Sequence, residues 1–288
     1  MTKVDAIRVN IKSAISLTIL TTIGIAAFFW PFLAAPGSAV LGHSTDAPLL
    51  FALLLPLILA VALAQIAEQG IDARSIAILG ILIALAAALR PIGAGTAGLE
   101  PMWVILVVGG RVLGRGFGFV LGTLALLVSA VITRGIGPWL PFQMIAAGWI
   151  GFGAACLPAI RGKKEVVLLA IYGAGASLVY GCLLNLWFWP WTTGLSPGIS
   201  FVAGLNVLEN VKHWLLFCLA TSLGFDIPRM ILTAGLVLVA GVPVLRSLRH
   251  AVRAAAFDEP VDFIVDVSQP HPGPSAGLTS HGAGRKVP

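Results

Sequence analysis

The side chains best suited to ligand binding lie between Arg134 and Pro158, directly against an apolar segment of membrane-spanning length. In RGIGPWLPFQMIAAGWIGFGAACLP, Arg134 offers a positive charge, Trp139 a flat surface for stacking and Gln143 an amide. The glycines and prolines among them predict an irregular backbone, which at membrane depth must line protein or a water-filled cavity. The pattern therefore predicts a substrate-facing loop that leads into a transmembrane helix.

A second pair of polar residues, Arg90 and Glu100, brackets the loop PIGAGTAGLEP. Charges near a membrane are costly, so each is a candidate for a functional role. The two side chains could contact a polar ligand or pair with each other at the interface, and the sequence alone leaves both interpretations open. Asp226 and Arg229 predict only a local ion pair at a turn, without assigned chemistry.

Aromatic residues are concentrated in NLWFWPW, where Asn185 precedes Trp187, Trp189 and Trp191. Tryptophans often anchor a helix end at the membrane interface. Three tryptophans within five residues, interrupted by a proline, exceed what anchoring requires. We therefore predict that this segment, together with the amide of Asn185, forms a lid or wall against a flat ligand.

A polar stretch opens the next apolar segment, with Asn206, Glu209, Asn210 and His213 at helical spacing. Side chains at i, i+3, i+4 and i+7 share one helix face and could point together into a cavity. A capped and solvated helix start is the alternative. We retain Asn206 and Glu209 as candidate binding residues.

The sequence lacks the short motifs of common catalytic sites. It has no GxxxxGK phosphate loop, no HExxH, no GxSxG and no closely spaced pair of intramembrane aspartates. Cys156, Cys182 and Cys218 lie in apolar runs without the spacing of metal ligands. We predict no catalytic residues, no metal and no cofactor, so any ATP would be used by another subunit.

The composition is that of a membrane protein. Of the 288 residues, 58% are hydrophobic and 10% are charged, and the mean hydropathy is +0.98. A soluble domain carries about 25% charged residues. The net charge of +6 comes from basic residues that flank apolar segments, which indicates membrane orientation and not a nucleic-acid surface. We expect a multi-pass protein of the plasma membrane.

Hydropathy predicts an all-α transmembrane bundle of eight or nine segments. Residues 1–74 hold a cytoplasmic segment and a transmembrane hairpin, residues 75–250 the remaining membrane segments, and residues 257–288 a tail predicted to be disordered. The glycine-rich interval 102–133 predicts a short helix, a tight turn and a second helix. The clear apolar segments are 14–33, 48–66, 75–89, 142–158, 166–188, 206–224 and 228–248.

Four segments, in this order, resemble the substrate-binding (S) components of energy-coupling-factor (ECF) vitamin transporters across roughly residues 75–250. They are GGRVLGRGFGFVLG (109–122), RGIGPWLPFQMIAAGWIGFGAACLP (134–158), NLWFWPW (185–191) and TSLGFD (221–226). The WLPFQM and GRGFGF segments look closest to the actinobacterial cobalamin-type branch. The resemblance implies a six-helix core, to which the hairpin at 14–66 is an addition.

The resemblance also implies a division of roles between subunits. The chain would capture a vitamin from outside, with cobalamin or a related corrinoid the best match, and deliver it through a transmembrane coupling subunit driven by ABC ATPases. In this family a pair of alanines on the first core helix contacts the coupling subunit, and Ala84 and Ala88 are the matching positions. The family further implies that the loaded bundle topples in the membrane during delivery.

The distribution of Lys and Arg predicts a cytoplasmic N-terminus and an outer face that carries both proposed substrate loops, 134–141 and 187–197. Counting every segment as a full span then puts Arg246, Arg249 and Arg253 outside, contrary to the positive-inside rule. One segment is therefore not a full span. A re-entrant or partial helix near 102–133, or near 190–208, would account for the difference.

Two other classes of function stay open from the sequence. An ion-coupled secondary transporter needs an acidic or histidine relay deep in the bundle, and Glu209 is the acid best placed for one. A membrane-embedded enzyme such as a transferase needs an acidic metal cluster, which the sequence lacks. Both classes are therefore weaker interpretations than vitamin capture.

Overall fold

The computed structural model describes residues 11–34, 47–67, 73–93, 98–192 and 194–256. This part of the chain folds into nine α-helices without a strand, which confirms the predicted all-α class. The helices are α1 (Ile11–Phe29), α2 (Ala47–Ala67), α3 (Ala73–Leu89), α4 (Met102–Leu113), α5 (Arg115–Thr133), α6 (Leu140–Cys156), α7 (Lys163–Phe188), α8 (Val207–Thr221) and α9 (Leu223–Ala256). Short 3-10 turns follow α1, α3 and α7 at Trp30–Leu33, Pro91–Gly93 and Trp189–Trp191. The predicted tail at 257–288 lies outside the described residues.

Five stretches of the described chain are long and apolar enough to cross a membrane. They are Ala14–Leu33, Ser75–Gly93, Arg115–Thr133, Lys163–Trp191 and Leu223–Ala254. The helices α4 and α6 are apolar but shorter, and most of their residues are buried among the other helices. The chain is a multi-pass membrane protein, as its composition predicts.

The interval 102–133 forms the predicted short helix, tight turn and second helix. Gly114 separates α4 from α5 with φ 95°, a left-handed conformation that favours glycine. Its N–H bonds the Gly110 carbonyl (3.1 Å), so the last turn of α4 is capped where the chain reverses. The turn lays α5 back alongside α4.

Small residues let the backbones of α4, α5 and α6 approach closely. A Cβ on Gly151 would overlap the Gly118 carbonyl, and a Cβ on Gly110 would overlap the Gly151 carbonyl. One turn away, a Cβ on Gly122 would overlap the Ala147 carbonyl. Membrane helices associate through such close contacts, because apolar side chains gain little by leaving lipid. These residues form the central seam of the core.

A second seam joins α7 to α9. Gly173 faces the Thr233 methyl group, and the Ser177 hydroxyl donates to Thr233 Oγ1 (3.2 Å). Nearer the end of α7, Gly181 leaves room for the Asp226 carboxylate, which a Cβ would overlap. The seam therefore places an acidic side chain of α9 against the backbone of α7.

An ion-pair triad closes the opposite end of this seam. Glu165 at the start of α7 is 1% exposed. It accepts hydrogen bonds from Arg111 of α4 (2.8 Å) and from Arg249 of α9 (2.6 and 3.0 Å). Arg111 also donates to the Leu157 and Pro158 carbonyls just beyond α6 (2.8 and 2.7 Å). The triad thus holds α4, α7, α9 and the α6–α7 loop together.

The helix α8 begins and ends near the same end of α7. At its start, Asn210 bonds the Val202 carbonyl (2.7 Å), in a loop whose Ile199 carbonyl accepts from Trp189 just beyond α7 (2.7 Å). Just after its end, Ser222 accepts from Asn185 in the last turn of α7 (2.8 Å). The helix therefore lies at one end of the bundle and does not cross it.

This placement resolves the conflict with the positive-inside rule. Because α8 is not a span, α9 starts at the outer end and returns to the basic end, where Arg249 meets Glu165. Arg246 and Arg253 follow it to the side of Arg111, which the rule assigns to the cytoplasm. The partial helix, Val207–Thr221, is the segment 206–224 that hydropathy predicts as a full span, so that prediction is wrong. The helix overlaps the proposed interval 190–208 only at its first two residues.

The N-terminal hairpin packs against α6, as an addition to the six-helix core of α3, α4, α5, α6, α7 and α9. Phe28 of α1 is fully buried, with its ring edge-on to Phe142 (centroids 5.2 Å apart) and beside Trp149 (5.8 Å). Trp149 Nε1 donates to Thr21 Oγ1 (3.3 Å), and Gly24 faces the same indole. The predicted hairpin therefore contacts the remaining helices through α1.

Candidate functional site

A polar network at the outer end of the core begins with three predicted binding residues. Arg90, just beyond α3, donates from Nη2 to Gln143 Oε1 in the first turn of α6 (3.2 Å). Its Nε lies 3.9 Å from Glu100 Oε1, which is a long ion pair. The Arg90 and Glu100 side chains are 18% and 19% exposed. The structure thus brings Arg90, Glu100 and Gln143 together from three separate elements.

Glu100 carries this network to α9. Trp103 Nε1 donates to Glu100 Oε2 (2.9 Å), and Arg229 Nε lies 3.4 Å from the same oxygen. Arg229 Nη1 in turn donates to Asp226 Oδ1 (2.6 Å). The ion pair that the sequence predicts between Asp226 and Arg229 therefore exists, but it also belongs to a larger arrangement. In formal charge, the two arginines balance the two carboxylates.

Asn185, a fourth predicted binding residue, joins the network through α8. Its Nδ2 donates to Ser222 Oγ (2.8 Å) and lies 3.2 Å from Cys218 Sγ. Ser222 donates to Asp226 Oδ2 (2.8 Å). A continuous series of polar contacts therefore runs from the end of α3, through α9, to the α8–α9 junction.

Two aromatic rings hold Arg229 in place. The Trp103 and Tyr180 rings are buried, with their centroids 4.4 Å apart. The guanidinium carbon of Arg229 lies 5.9 Å from the Trp103 centroid and 5.5 Å from that of Tyr180. A desolvated cation–π contact contributes about 2 kcal/mol. Arg229 is therefore fixed by two acids and two rings, whereas Arg90 has looser contacts in the described part of the chain.

Gly98 lets the loop before α4 lie on the start of α9. Its φ is 77°, and a Cβ at this position would overlap the Phe225 carbonyl. A larger residue would therefore be strained both by its backbone conformation and by the contact. The close approach keeps Glu100 within reach of Arg229.

Trp139 lies beside this network at the start of α6. It is 39% exposed, its Nε1 donates to the Gly135 carbonyl (3.2 Å), and it stands one turn before Gln143. Its ring lies edge-on to Trp187 (6.2 Å), which also packs on Phe142 (5.8 Å). Two of the predicted aromatic residues therefore form a partly exposed pair next to the polar groups.

Trp189 and Trp191 have a different environment from the predicted wall. Trp189 is fully buried and its indole N–H donates to the Ile199 carbonyl (2.7 Å), so it holds the loop before α8 in place. Phe32, beyond α1, packs against Trp189 (6.1 Å), and Trp30 packs against Trp191 (5.7 Å). The 3-10 turn after α1 thus covers this part of the aromatic cluster.

The remaining predicted residues lie apart from the network in the described contacts. Asn206 is the N-cap of α8, since its Oδ1 accepts from the Leu208 N–H (2.9 Å), and Glu209 is exposed. Arg134 is also exposed and ends α5 with φ 55°. Asn206 and Glu209 therefore form the capped, solvated helix start that the sequence left as an alternative.

The predicted coupling residues lie on an open face of α3. Ala84 and Ala88 are exposed, as is Ala77 two turns before Ala84. Gly80 belongs to the same face, and no heavy atom of the described residues lies within 4 Å of the position its Cβ would occupy. Small side chains here leave the helix backbone accessible to a partner helix.

Sequence reasoning missed several members of the network, among them four on α4, α7 and α9. Asp226 and Arg229 carry a signal, because charges within an apolar segment suggest a function, but their spacing is also that of a local pair. Trp103 and Tyr180 carry none, because single aromatic residues in apolar helices are ordinary core residues. Only the packing of α4, α7 and α9 brings the four together.

The described residues contain no group of three or more His, Cys, Asp or Glu side chains that could hold a metal. The two buried acids, Glu165 and Asp226, both pair with arginines. What the outer network offers to a ligand is therefore hydrogen bonding, balanced charge and aromatic surface.

A family model described as "ECF transporter, substrate-specific component" matches residues 74–241, more than half of the chain. No curated protein and no solved structure gives a significant match. The matched residues run from α3 into α9 and contain the whole polar network, whereas the hairpin lies outside them. The chain belongs to the family of ECF transporter substrate-specific components and is therefore the membrane-embedded, substrate-binding subunit of such a transporter.

Proposed function

We propose that this subunit binds a vitamin at its outer end, and that the vitamin is cobalamin or a related corrinoid. The observation that carries the proposal is the meeting of Arg90, Glu100 and Gln143 beside the partly exposed ring of Trp139. The resemblance of the 109–122 and 134–158 segments to the cobalamin-type branch supports the choice of ligand.

The chemistry of the network suits a large ligand with amide groups. Gln143 has both a donor and an acceptor, and Arg90 is joined to Glu100 only by a long ion pair. A corrin ring carries carboxamide side chains that need both kinds of partner, and its apolar faces can pack on indole rings such as that of Trp139. Arg229 would keep its contacts with Trp103, Tyr180 and Asp226, and Arg90 would contact the ligand.

Delivery would depend on partner subunits. The family implies a transmembrane coupling subunit and ABC ATPases, and the exposed small residues of α3, Ala84 and Ala88, would contact the coupling subunit. The hydrolysis of ATP would then take place on those partners. This chain would supply the capture site and the docking face.

The contacts of the acidic residues favour capture over ion-coupled transport. A proton or ion relay needs acidic groups that can change charge within the bundle. Glu165 and Asp226 are buried but tied to arginines, and Glu209 is exposed at the start of α8. None of these acids has the setting of a relay.

The first test is mass spectrometry of small molecules retained by the detergent-purified chain, followed by titration with cobalamin. We expect tight one-to-one binding of a corrinoid. Retention of another vitamin would replace cobalamin and keep the capture role. A chain that binds nothing across a panel of vitamins would contradict vitamin capture and favour secondary transport or enzyme activity.

Substitutions in the first turn of α6 should weaken ligand binding without loss of folded protein. We expect Gln143→Ala and Trp139→Ala each to raise the Kd about tenfold, since a lost hydrogen bond or aromatic contact contributes about 1–1.5 kcal/mol. Lys164→Ala, exposed at the opposite end, is the control and should bind as the parent does. Unchanged affinity in both α6 variants would remove this loop from the site.

A large side chain on the open face of α3 should block assembly. We expect Ala84→Trp to lower copurification of the coupling subunit and ATPases at least about tenfold while ligand affinity stays unchanged, because the indole would hold a partner helix away. Ala60→Trp, at an exposed alanine of α2, is the matched control. Equal loss of assembly and ligand binding in Ala84→Trp would instead indicate a defect in bundle packing.

A further inference from the structure

Two cysteines from different helices touch near the outer end of the bundle. Cys182 of α7 and Cys218 of α8 are both thiols in the structure, and they lie side by side where α7 contacts α8. Asn185, one turn after Cys182, lies with its Nδ2 3.2 Å from Cys218 Sγ, which ties the same two helix faces together. Neither thiol has a role in the proposed vitamin binding.

The two cysteines lie on the outer side of the membrane, where disulfides can form. Both cysteines lie toward the end of the bundle that holds Asn185 and Asp226, opposite the basic end at Arg249. The positive-inside rule makes this the outer side, and disulfides form and persist outside the cytoplasm. Cys182 is half-buried, whereas Cys218 is 4% exposed.

We propose that Cys182 and Cys218 form a redox-active pair whose oxidation ties α8 covalently to α7. The oxidant is an external disulfide, either a small molecule or the active-site disulfide of an oxidoreductase. The more accessible Cys182, as its thiolate, attacks one sulfur of that disulfide and releases the first thiol. Cys218 then displaces the second thiol from Cys182. The pair loses two electrons and two protons, and the oxidant gains both as two thiols.

A bond at this position acts on a helix at the periphery of the bundle. The helix α8 does not cross the bundle, and its large side chains Leu208 and Leu219 are 74% and 59% exposed. Cys218 lies one turn before Ser222, which donates to Asp226 of the polar network. The tether therefore fixes α8 relative to α7. If the network is the binding site, as proposed above, the tether also slows ligand exchange.

The full-length chain in lipid nanodiscs, treated with oxidised glutathione, tests the pair directly. Cys156 is exposed at the end of α6 and takes up glutathione itself, so Cys156→Ser is the background for this test. We expect the Cys156→Ser variant to lose about 2 Da, for two hydrogens, and to give a peptide that links Cys182 to Cys218. The double variant Cys156→Ser/Cys218→Ser should instead stop at a glutathione adduct on Cys182.

Hydrogen exchange shows whether the disulfide restrains the motion of α8. We expect amide exchange in residues 207–221 to slow at least about tenfold on oxidation and to recover after reduction. Failure to form the Cys182–Cys218 link in the folded chain would overturn the proposal, as would a link that leaves exchange in α8 unchanged. Neither measurement requires a bound vitamin, so the outcome is independent of the proposed ligand.

Discussion

Gly151→Ala is expected to destabilise the bundle far more than the addition of one methyl group suggests. The new Cβ would overlap the Gly118 carbonyl of α5, and the Gly151 carbonyl already lies where α4 approaches at Gly110. These neighbours are backbone atoms, so no side-chain rotation can make room. Overpacking of a core costs about 1–3 kcal/mol, and the rigid surroundings place this substitution at or above the upper value.

The apparent melting temperature of the purified chain in detergent measures this effect, with Gly175→Ala as the matched control. Gly175 lies within α7, is exposed and has no heavy atom within 4 Å of its would-be Cβ. Alanine there should leave stability unchanged or raise it by up to about 1 kcal/mol through helix propensity. Equal melting temperatures for the two variants would contradict a tight backbone seam at Gly151.

The sequence contained enough information to predict the helices and the nature of their contacts. Apolar segments of membrane length mark the spans. The glycines of the interval 102–133 predict a turn, and in the structure Gly114 forms it with a positive φ. Small residues four apart in α5 and α6 predict close packing, and the structure pairs Gly118 with Gly151 and Gly122 with Ala147. Such signals are local, so a single sequence carries them.

The side of the membrane at which α9 begins depends on information that is not local. The segment 206–224 is apolar enough to suggest a span, but its start is polar and Asn206 caps α8 at the outer end. The contact of Arg249 with Glu165 shows that α9 returns to the basic end. Hydropathy does not identify partial helices of this kind, because it reports the length of an apolar segment and not whether the helix crosses the bundle.

The candidate site could be predicted only in part, because residue type alone does not determine where a side chain lies. Arg90, Glu100, Gln143 and Asn185 stand out as polar groups in apolar surroundings, and the structure gathers all four into one network. Trp189 stands out equally, yet it is fully buried and holds a loop. The type of a residue indicates that it is costly or large, whereas tertiary packing determines whether it faces a ligand or the core.

Glu165→Gln is expected to lower the free energy of unfolding by about 3 kcal/mol, the second large effect. Glu165 is 1% exposed and is the shared partner of Arg111 and Arg249, so its neutralisation leaves two guanidinium groups without their counter-charge. Removal of one partner from a buried ion pair costs about 3–5 kcal/mol. Arg249 is 24% exposed and can recruit water, which places the expected loss at the lower end of that range.

A double-mutant cycle identifies charge imbalance as the cause. With Glu165 intact, Arg249→Gln removes an attractive partner, but in the Glu165→Gln background it removes an unpaired positive charge. The second substitution should therefore destabilise less in that background, with a coupling of about 1–3 kcal/mol in chemical or thermal unfolding. Glu209→Gln, at an exposed glutamate, should change stability by less than about 0.5 kcal/mol. Additive losses would show instead that Glu165 acts only through its local hydrogen bonds, and that α4, α7 and α9 are held by packing without help from the triad.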